Sequence, residues 1–384
     1  MESYLFTEYG KKKLHSISNT YRELSFVYQD SKPDYVAKTR QQRLQQMELQ
    51  TTKKAFARNL QELSVAVEDV ADTLVSVGRP TEYKKRLLMR ELKKNGIFVS
   101  QIVYIEEKNQ PRLIQLTAKR TKKRQYTTSE LAGFLSVFYG KRLVPCQAQS
   151  GYLGDSPETF VFQEEPHFTI MTSVSKAVKE TEKISGDNFS LEEIKDGSFA
   201  MILCDGMGSG VQANQQSQRV VEFLETFLEA GFETQKAFSM ANAALASTLE
   251  ESKLTGLDVC HLCLHTGEAE FIKAGASPSF CKRGQKIVEI GCEYLPLGCM
   301  VDVTPMVQTF DLMDGDMVIM MTDGVYDCFE DKDGNNRMKE ILARYETNNT
   351  KDLADYLLRY AINCQGGHIR DDMTVLVAGV WNAY

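Results

Sequence analysis

Histidine is scarce in this chain, five residues among 384, and there is a single tryptophan. So few imidazoles disfavour zinc and non-haem iron as resident metals, because both ions favour nitrogen donors. No stretch approaches the ~20 consecutive apolar residues of a bilayer-spanning helix. The first residues, Met1-Glu2-Ser3-Tyr4 followed by Lys11, Lys12 and Lys13, hold no apolar signal core. A basic excess is missing too: 45 Lys and Arg stand against 52 Asp and Glu, a formal charge of -7. That balance disfavours bulk binding to nucleic acid. The expectation is therefore no nucleic-acid partner and no membrane span. Nine cysteines are scattered without a zinc framework. Cys260 and Cys263 have the right spacing for half a site, but no second pair lies at ligand distance, and the alternation over residues 259–264 suits a strand. These thiols read as reduced and the chain as cytoplasmic. Whether it is a whole protein or a piece of a membrane-anchored parent stays open.

The length predicts more than one domain. Residues 1–80 read as a helical segment, 81–165 as a small α/β domain, and 166–384 as a larger domain. A helix is expected near residues 15–28, ended by Pro33. Residues 38–78 have the pattern of a long amphipathic helix, with Leu44, Met47, Phe56, Leu60, Leu63, Val67, Val70 and Leu74 recurring at short steps. Such a stripe must be buried, and pairing with a second copy of the chain is the informative way to do so. Beyond Gly78-Arg79-Pro80 the pattern predicts a helix over 83–94, strands over 97–105 and 111–116, and a helix over 127–139 with Ser129 as its cap. The basic run 119–124 reads as a solvated loop. No catalytic constellation is visible in this half.

The larger domain centres on residues 199–210, FAMILCDGMGSG. An apolar run suited to a buried strand ends in Asp205 and a turn with glycine at 206, 208 and 210. Helices are predicted over 212–229 and 234–251. Strands follow over 259–264, 268–273, 278–282, 286–289 and 306–311. The very apolar stretch 317–321 leads into Thr322-Asp323-Gly324. A helix over 352–364 and a strand over 373–380, introduced by Asp371-Asp372, complete the pattern. Two packed sheets with helices outside are the architecture this suggests.

Four acidic points, Asp187, Asp205, Asp323 and Asp371, stand at or near strand ends beside glycine or a second aspartate. Carboxylates that converge need cations, and oxygen-only donors select hard ions such as Mg²⁺ or Mn²⁺. Two such ions can activate a water and clamp phosphoryl oxygens, which suggests phosphoester hydrolysis. Other nucleophile signals are weak. Residues 206–210 are not G-x-S-x-G and lack the lysine of a P-loop. Cys364 and Arg370 have the Cys-x5-Arg spacing of cysteine phosphatases, but Cys364 ends a predicted helix instead of preceding one.

The ordered set Ser185-Gly186-Asp187-Asn188-Phe189, Asp205-Gly206-Met207-Gly208-Ser209-Gly210, Thr322-Asp323-Gly324 and Asp371-Asp372-Met373-Thr374 resembles the metal-dependent serine/threonine phosphatases of type 2C, the PPM family. Lys273-Ala274-Gly275-Ala276-Ser277-Pro278 and Leu295-Pro296-Leu297-Gly298 resemble its bacterial sporulation branch. The resemblance is strong over about 166–380 and weaker before that, where it fits a regulatory segment. It implies an α+β catalytic domain, a four-layer αββα sandwich, preceded by a long helix and a small α/β regulatory domain.

It further implies two Mn²⁺ or Mg²⁺ ions, with a third, weaker one left open. Asp205 would bridge the two and the Gly206 carbonyl would join one. Asp187 would be a ligand or hold a coordinated water, and Asp323 and Asp371 would complete the second side. A water bridging the ions would hydrolyse phosphoserine or phosphothreonine. In this branch the partner is a phosphorylated anti-sigma-factor antagonist, whose dephosphorylation activates a sporulation sigma factor. Regulation would run from the long helix, as a homodimer contact, to switch helices over 212–229 and 234–251. Two departures stand out: Met207 occupies the place of a proton-donating histidine, and no phosphate-binding arginine is identifiable. Another phosphoprotein substrate and a non-catalytic phosphoprotein-binding role remain as alternatives.

Overall fold

The computed structural model describes residues 14–15, 18–26, 53–54, 56–65, 67–68, 77–78, 82–105, 113–146, 151–194, 197–206, 208–229, 232–246, 254–291, 294–299, 305–330 and 337–383. They divide into two compact units, one drawn from 1–16, 67–166 and 195–197, the other from 17–66, 167–194 and 198–384. Among the described residues no helix is long and apolar enough to cross a membrane.

The smaller unit is one antiparallel sheet with two helices. Its elements are β1 (Val77–Gly78), α1 (Glu82–Lys94), β2 (Ile97–Ile105), β3 (Leu113–Arg120), α2 (Thr128–Tyr139), β4 (Leu143–Pro145) and β5 (Glu158–Glu164), and its strand order is β1-β2-β3-β5-β4. Leu88 and Leu92 of α1 and Leu131 and Leu135 of α2 share one core with Ile114, Leu116, Phe160 and Phe162 of the sheet. Two expectations are corrected here. Helix α2 is capped by Thr127, not Ser129: the Thr127 hydroxyl accepts from the Glu130 N–H at 3.1 Å, and the Glu130 carboxylate accepts the Thr127 N–H at 2.8 Å. This reciprocal box satisfies two otherwise orphan donors, which a cap two residues later cannot do. The long helix predicted over 38–78 does not reach its end, because Val77 and Gly78 pair antiparallel with Ile105 and Tyr104 and cover the edge of β2. Within that span residues 53–54, 56–65 and 67–68 are helical, whereas 38–52 and 69–76 lie outside the described residues. The helix expected near 15–28 is present over 18–26, and its Ser25 hydroxyl donates to the Ala57 carbonyl at 2.6 Å.

The larger unit is the expected four-layer sandwich. Its elements are β6 (Phe168–Ala177), β7 (Asn188–Ile194), β8 (Ser198–Gly206), α3 (Val211–Glu229), α4 (Thr234–Ala246), β9 (Thr255–Cys263), β10 (Glu268–Ala274), β11 (Ser279–Arg283), β12 (Lys286–Ile290), β13 (Gln308–Asp311), β14 (Met317–Met321), α5 (Asp323–Tyr326), α6 (Met338–Arg344), α7 (Thr350–Cys364) and β15 (Met373–Asn382). One sheet has the order β13-β10-β9-β8-β7 and the other β12-β11-β14-β15-β6, all neighbours antiparallel.

The period-2 alternation of strands sets the layers. In β8, Phe199, Met201 and Leu203 face the opposite sheet, while Ala200, Ile202 and Cys204 pack beneath α3 and α4. In β14, Val318 and Met320 face the opposite sheet, while Met317, Ile319 and Met321 pack beneath α6 and α7. Strands buried on both faces read as continuous apolar runs, which is why 199–204 and 317–321 look as they do. Cys260 lies in the core between the sheets, so its strand reading holds.

Candidate functional site

The register of the two sheets brings the acidic points to one end of the sandwich. Asp205 lies near the end of β8, on the inter-sheet parity of Leu203. The β7–β8 pairing sets Asn188 opposite Cys204, so Asp187 stands beside Asp205. In the facing sheet β14 and β15 are hydrogen-bonded neighbours, with Met321 opposite Val375. Asp323, opening α5, and Asp371, just before β15, therefore emerge side by side. Asp205 and Asp323 line a cleft between the sheets together with Gly256, Asp258, the 275–277 turn and Thr322.

Two threonines aim Asp187. The Thr374 hydroxyl donates to Asp187 Oδ2 at 2.6 Å and the Thr322 hydroxyl to the same oxygen at 3.2 Å, while Thr322 Oγ1 accepts the Thr374 N–H at 3.0 Å. Lys176 of β6 donates to the Asp187 carbonyl at 2.7 Å. Asp372 accepts the N–H groups of Lys179 at 3.0 Å and Gly186 at 2.7 Å, tying the segment that carries Asp187 to the start of β15. The two Asp-Gly steps are demanded by close approach. A Cβ at Gly324 would stand 2.3 Å from the Asp372 carbonyl oxygen, and one at Gly206 would stand 2.6 Å from that of Ala213.

These carboxylates repel one another. Burial pushes Asp187 up to about 6, against the opposing hydrogen bonds of Thr374 and Thr322 and the charge of Lys176. Burial, then the charges of Asp187, Asp323, Asp371 and Asp372, push Asp205 up to about 9. Asp323 is raised by burial and by Asp371, although it shares a hydrogen bond with Asp205. Asp371 is the open member: its side chain is 54% exposed, and Lys179 Nζ stands 3.7 Å away. An all-oxygen donor set with excess negative charge fits hard divalent cations. As placed, the carboxylates are gathered within electrostatic range, and among the described residues no three Asp, Glu, His or Cys side chains already form a ligand shell.

All four acidic residues singled out from the sequence thus belong to one region. Gly206 closes β8 beside them, and Met207 lies outside the described residues. Sequence reasoning missed Thr322, Thr374, Asp372, Asp258 and Lys176. The first three sit inside the motifs that carry the aspartates, so adjacency was the available signal. Asp258 and Lys176 lie outside those motifs, and Asp258 looks solvent-facing in its alternating strand until a second sheet covers it. Cys364 ends α7, and glycines at 366 and 367 follow, so no helix N-terminus faces its thiol.

Residues 195–381 match the family model described as stage II sporulation protein E (SpoIIE). The chain is 31% identical over 212 residues to the stage II sporulation protein E of Priestia megaterium, a match covering 55% of this chain and 36% of that one. With the protein of the same name from Bacillus subtilis (strain 168) it is 30% identical over 220 residues, covering 57% of this chain and 27% of that one. The chain spans about a third of the length of the curated relatives it matches. A solved structure of the PP2C phosphatase domain and a fragment of the regulatory domain of SpoIIE from Bacillus subtilis matches with a TM-score of 0.64 at 24% identity, over 90% of this chain and 97% of that one. The likeness shows the fold: a PP2C-like sandwich preceded by further helical and β regions.

The raised carboxyls fix a pH response for the metal-free protein. From about pH 4 the folded chain holds protons that the unfolded chain has released, on Asp187 up to about pH 6 and on Asp205 up to about pH 9, so this contribution to stability falls as pH rises. Urea unfolding in chelator is expected to show Asp205→Asn more stable than wild type, with the difference growing from pH 5 to pH 8. A difference that is flat or shrinks with pH contradicts the repulsion described.

Proposed function

We propose, from a carboxy-terminal region that matches the family model of stage II sporulation protein E, that this chain is a metal-dependent protein phosphatase acting on phosphoserine or phosphothreonine. The observation that carries the reading is the convergence of Asp187, Asp205, Asp323 and Asp371 at one end of two facing sheets, with repulsion that Lys176 and Lys179 relieve only in part. Two Mn²⁺ or Mg²⁺ ions, when bound, supply Lewis acidity for a water and for the phosphoryl oxygens.

The chain's own residues do the rest. Asp205 holds the centre of the site from the floor of the cleft, with the Gly206 carbonyl beside it. Asp323 and Asp371 hold the opposite side. Asp187, its Oδ2 occupied by two threonine hydroxyls, keeps a fixed orientation toward Asp205. The open position of Asp371 leaves the phosphoryl group an approach from solvent. The substrate is a phosphorylated anti-sigma-factor antagonist, and its dephosphorylation activates a sporulation sigma factor.

Regulation has a physical route. Helix α3 grips the segment around Asp187: Asn214 donates to the Ser185 carbonyl at 2.8 Å, Ser217 donates to the Gly186 carbonyl, and the Asn188 amide donates to Ser217 at 2.8 Å. A shift of α3 and α4 would therefore re-aim Asp187. The smaller α/β unit is the regulatory domain, and the segment before it forms a homodimer contact that sets the position of these helices.

Two measurements test this. Release of phosphate from a phosphorylated antagonist should require Mn²⁺ or Mg²⁺ and fall roughly 100-fold or more in Asp205→Asn and Asp323→Asn, since the several kcal/mol supplied by a catalytic metal correspond to at least that factor. Phosphopeptide binding with no turnover at any metal concentration would point instead to a binding module. Light scattering across concentration should show a dimer, and a monomer with full activity would remove the proposed contact.

A further inference from the structure

Beneath Asp205 the cleft has a third carboxylate, beyond Asp205 and Asp323, that the reading above does not use. Asp258 of β9 stands opposite Leu203 of β8 on one side and opposite Lys273 of β10 on the other. Its parity is that of Cys260 and Leu262, so it faces the gap between the sheets, where it is 1% exposed. Lys273 and Ser279 reach the same gap from β10 and β11 on the parities of Phe271 and Cys281. Lys273 Nζ and the Ser279 hydroxyl both donate to Asp258 Oδ2, and Lys273 Nζ also donates to Ser279 Oγ at 2.8 Å.

Among the described residues every donor therefore falls on one oxygen, and the buried Asp258 Oδ1 has no hydrogen-bond partner. A buried charge is costly to leave half-satisfied, and a bare carboxylate oxygen in a polar cleft is a place for water. Asp258 lines the same cleft as Asp205, Thr322 and Asp323.

We infer that Asp258 is a positioning residue of the cation site, its Oδ1 accepting a hydrogen bond from water that hydrates cations held at Asp205. Lys273 and Ser279 lock the carboxylate by its other oxygen. This pairing neutralises Asp258 locally, so a carboxylate can sit beside the cluster without adding a full charge to it. The inference rests on the metal reading above. Residues that orient the ligands and waters of a metal typically change its affinity by about 10–100-fold when replaced.

The test is Mn²⁺ binding, read from the electron paramagnetic resonance of free Mn²⁺ and from water-proton relaxation per bound ion. Asp258→Asn keeps the shape and an acceptor for Lys273. It is expected to weaken Mn²⁺ binding about 10–100-fold and to change the relaxation per ion, with the metal-free far-UV spectrum retained. Because Lys273 would be left in the interior without its counter-charge, the double variant Asp258→Asn/Lys273→Met, which removes both charges, is measured in parallel and decides the matter if the single variant does not fold. A folded variant with wild-type Mn²⁺ affinity and relaxation overturns the inference while leaving the metal reading intact. Wild-type protein that binds no Mn²⁺ overturns both.

Discussion

Repulsion among Asp187, Asp205, Asp323 and Asp371 is the force against which this fold is built. Asp205, Asp323 and Asp371 stand at or beside the ends of strands whose other residues are among the most buried described, and Asp187 precedes the edge strand β7. The apolar runs 199–204 and 317–321 fix the two sheets face to face, and the aspartates have no freedom to separate without unpacking that interior. Hydrophobic burial, spread over many side chains, holds together a small set of charges that would otherwise fly apart. The local devices serve the same end. Two threonine hydroxyls and two backbone N–H groups are spent on Asp187 and Asp372, and two glycines let helices and loops close over the carboxylate-bearing turns.

This arrangement links the site to the rest of the larger unit. Helix α3 packs on β8 through Val220, Val221 and Leu224 and also grips the backbone at 185 and 186. One helix thus touches the core and the carboxylate cluster at once, which is the geometry a switch needs. Asp258, Lys273 and Ser279 form a second polar island inside the sandwich. A charge pair at such depth is weak evidence for stability, since apolar residues of similar size would often do as well. Its place on the cleft wall gives it a reason to exist.

Much of this was legible in the sequence, for physical reasons. Strands buried on both faces, as in β8 and β14, announce themselves as continuous apolar runs, and a strand that ends in Asp-Gly marks a functional turn. What was hidden depended on partners distant in the chain. Ser129 and Thr127 are both plausible caps, and only the reach of Glu130 back to Thr127 decides between them. Val77 and Gly78 continue a helical pattern but pair with the edge of β2, because an open strand edge outweighs a local preference at the end of a helix. Helix α5 is one turn long, too short for periodicity to register. Asp258 looks like a solvent-facing position until the second sheet is set over it.

The central claim is that these carboxylates gather to hold divalent cations. Anomalous diffraction at the manganese edge, on crystals of the full chain soaked in Mn²⁺, tests it most directly. The account predicts two peaks in the cleft between Asp205 and Asp323, with Asp371 drawn in and Asp187 still bonded to Thr322 and Thr374. A cleft without anomalous density at saturating Mn²⁺, or ions bound only elsewhere on the surface, would contradict it.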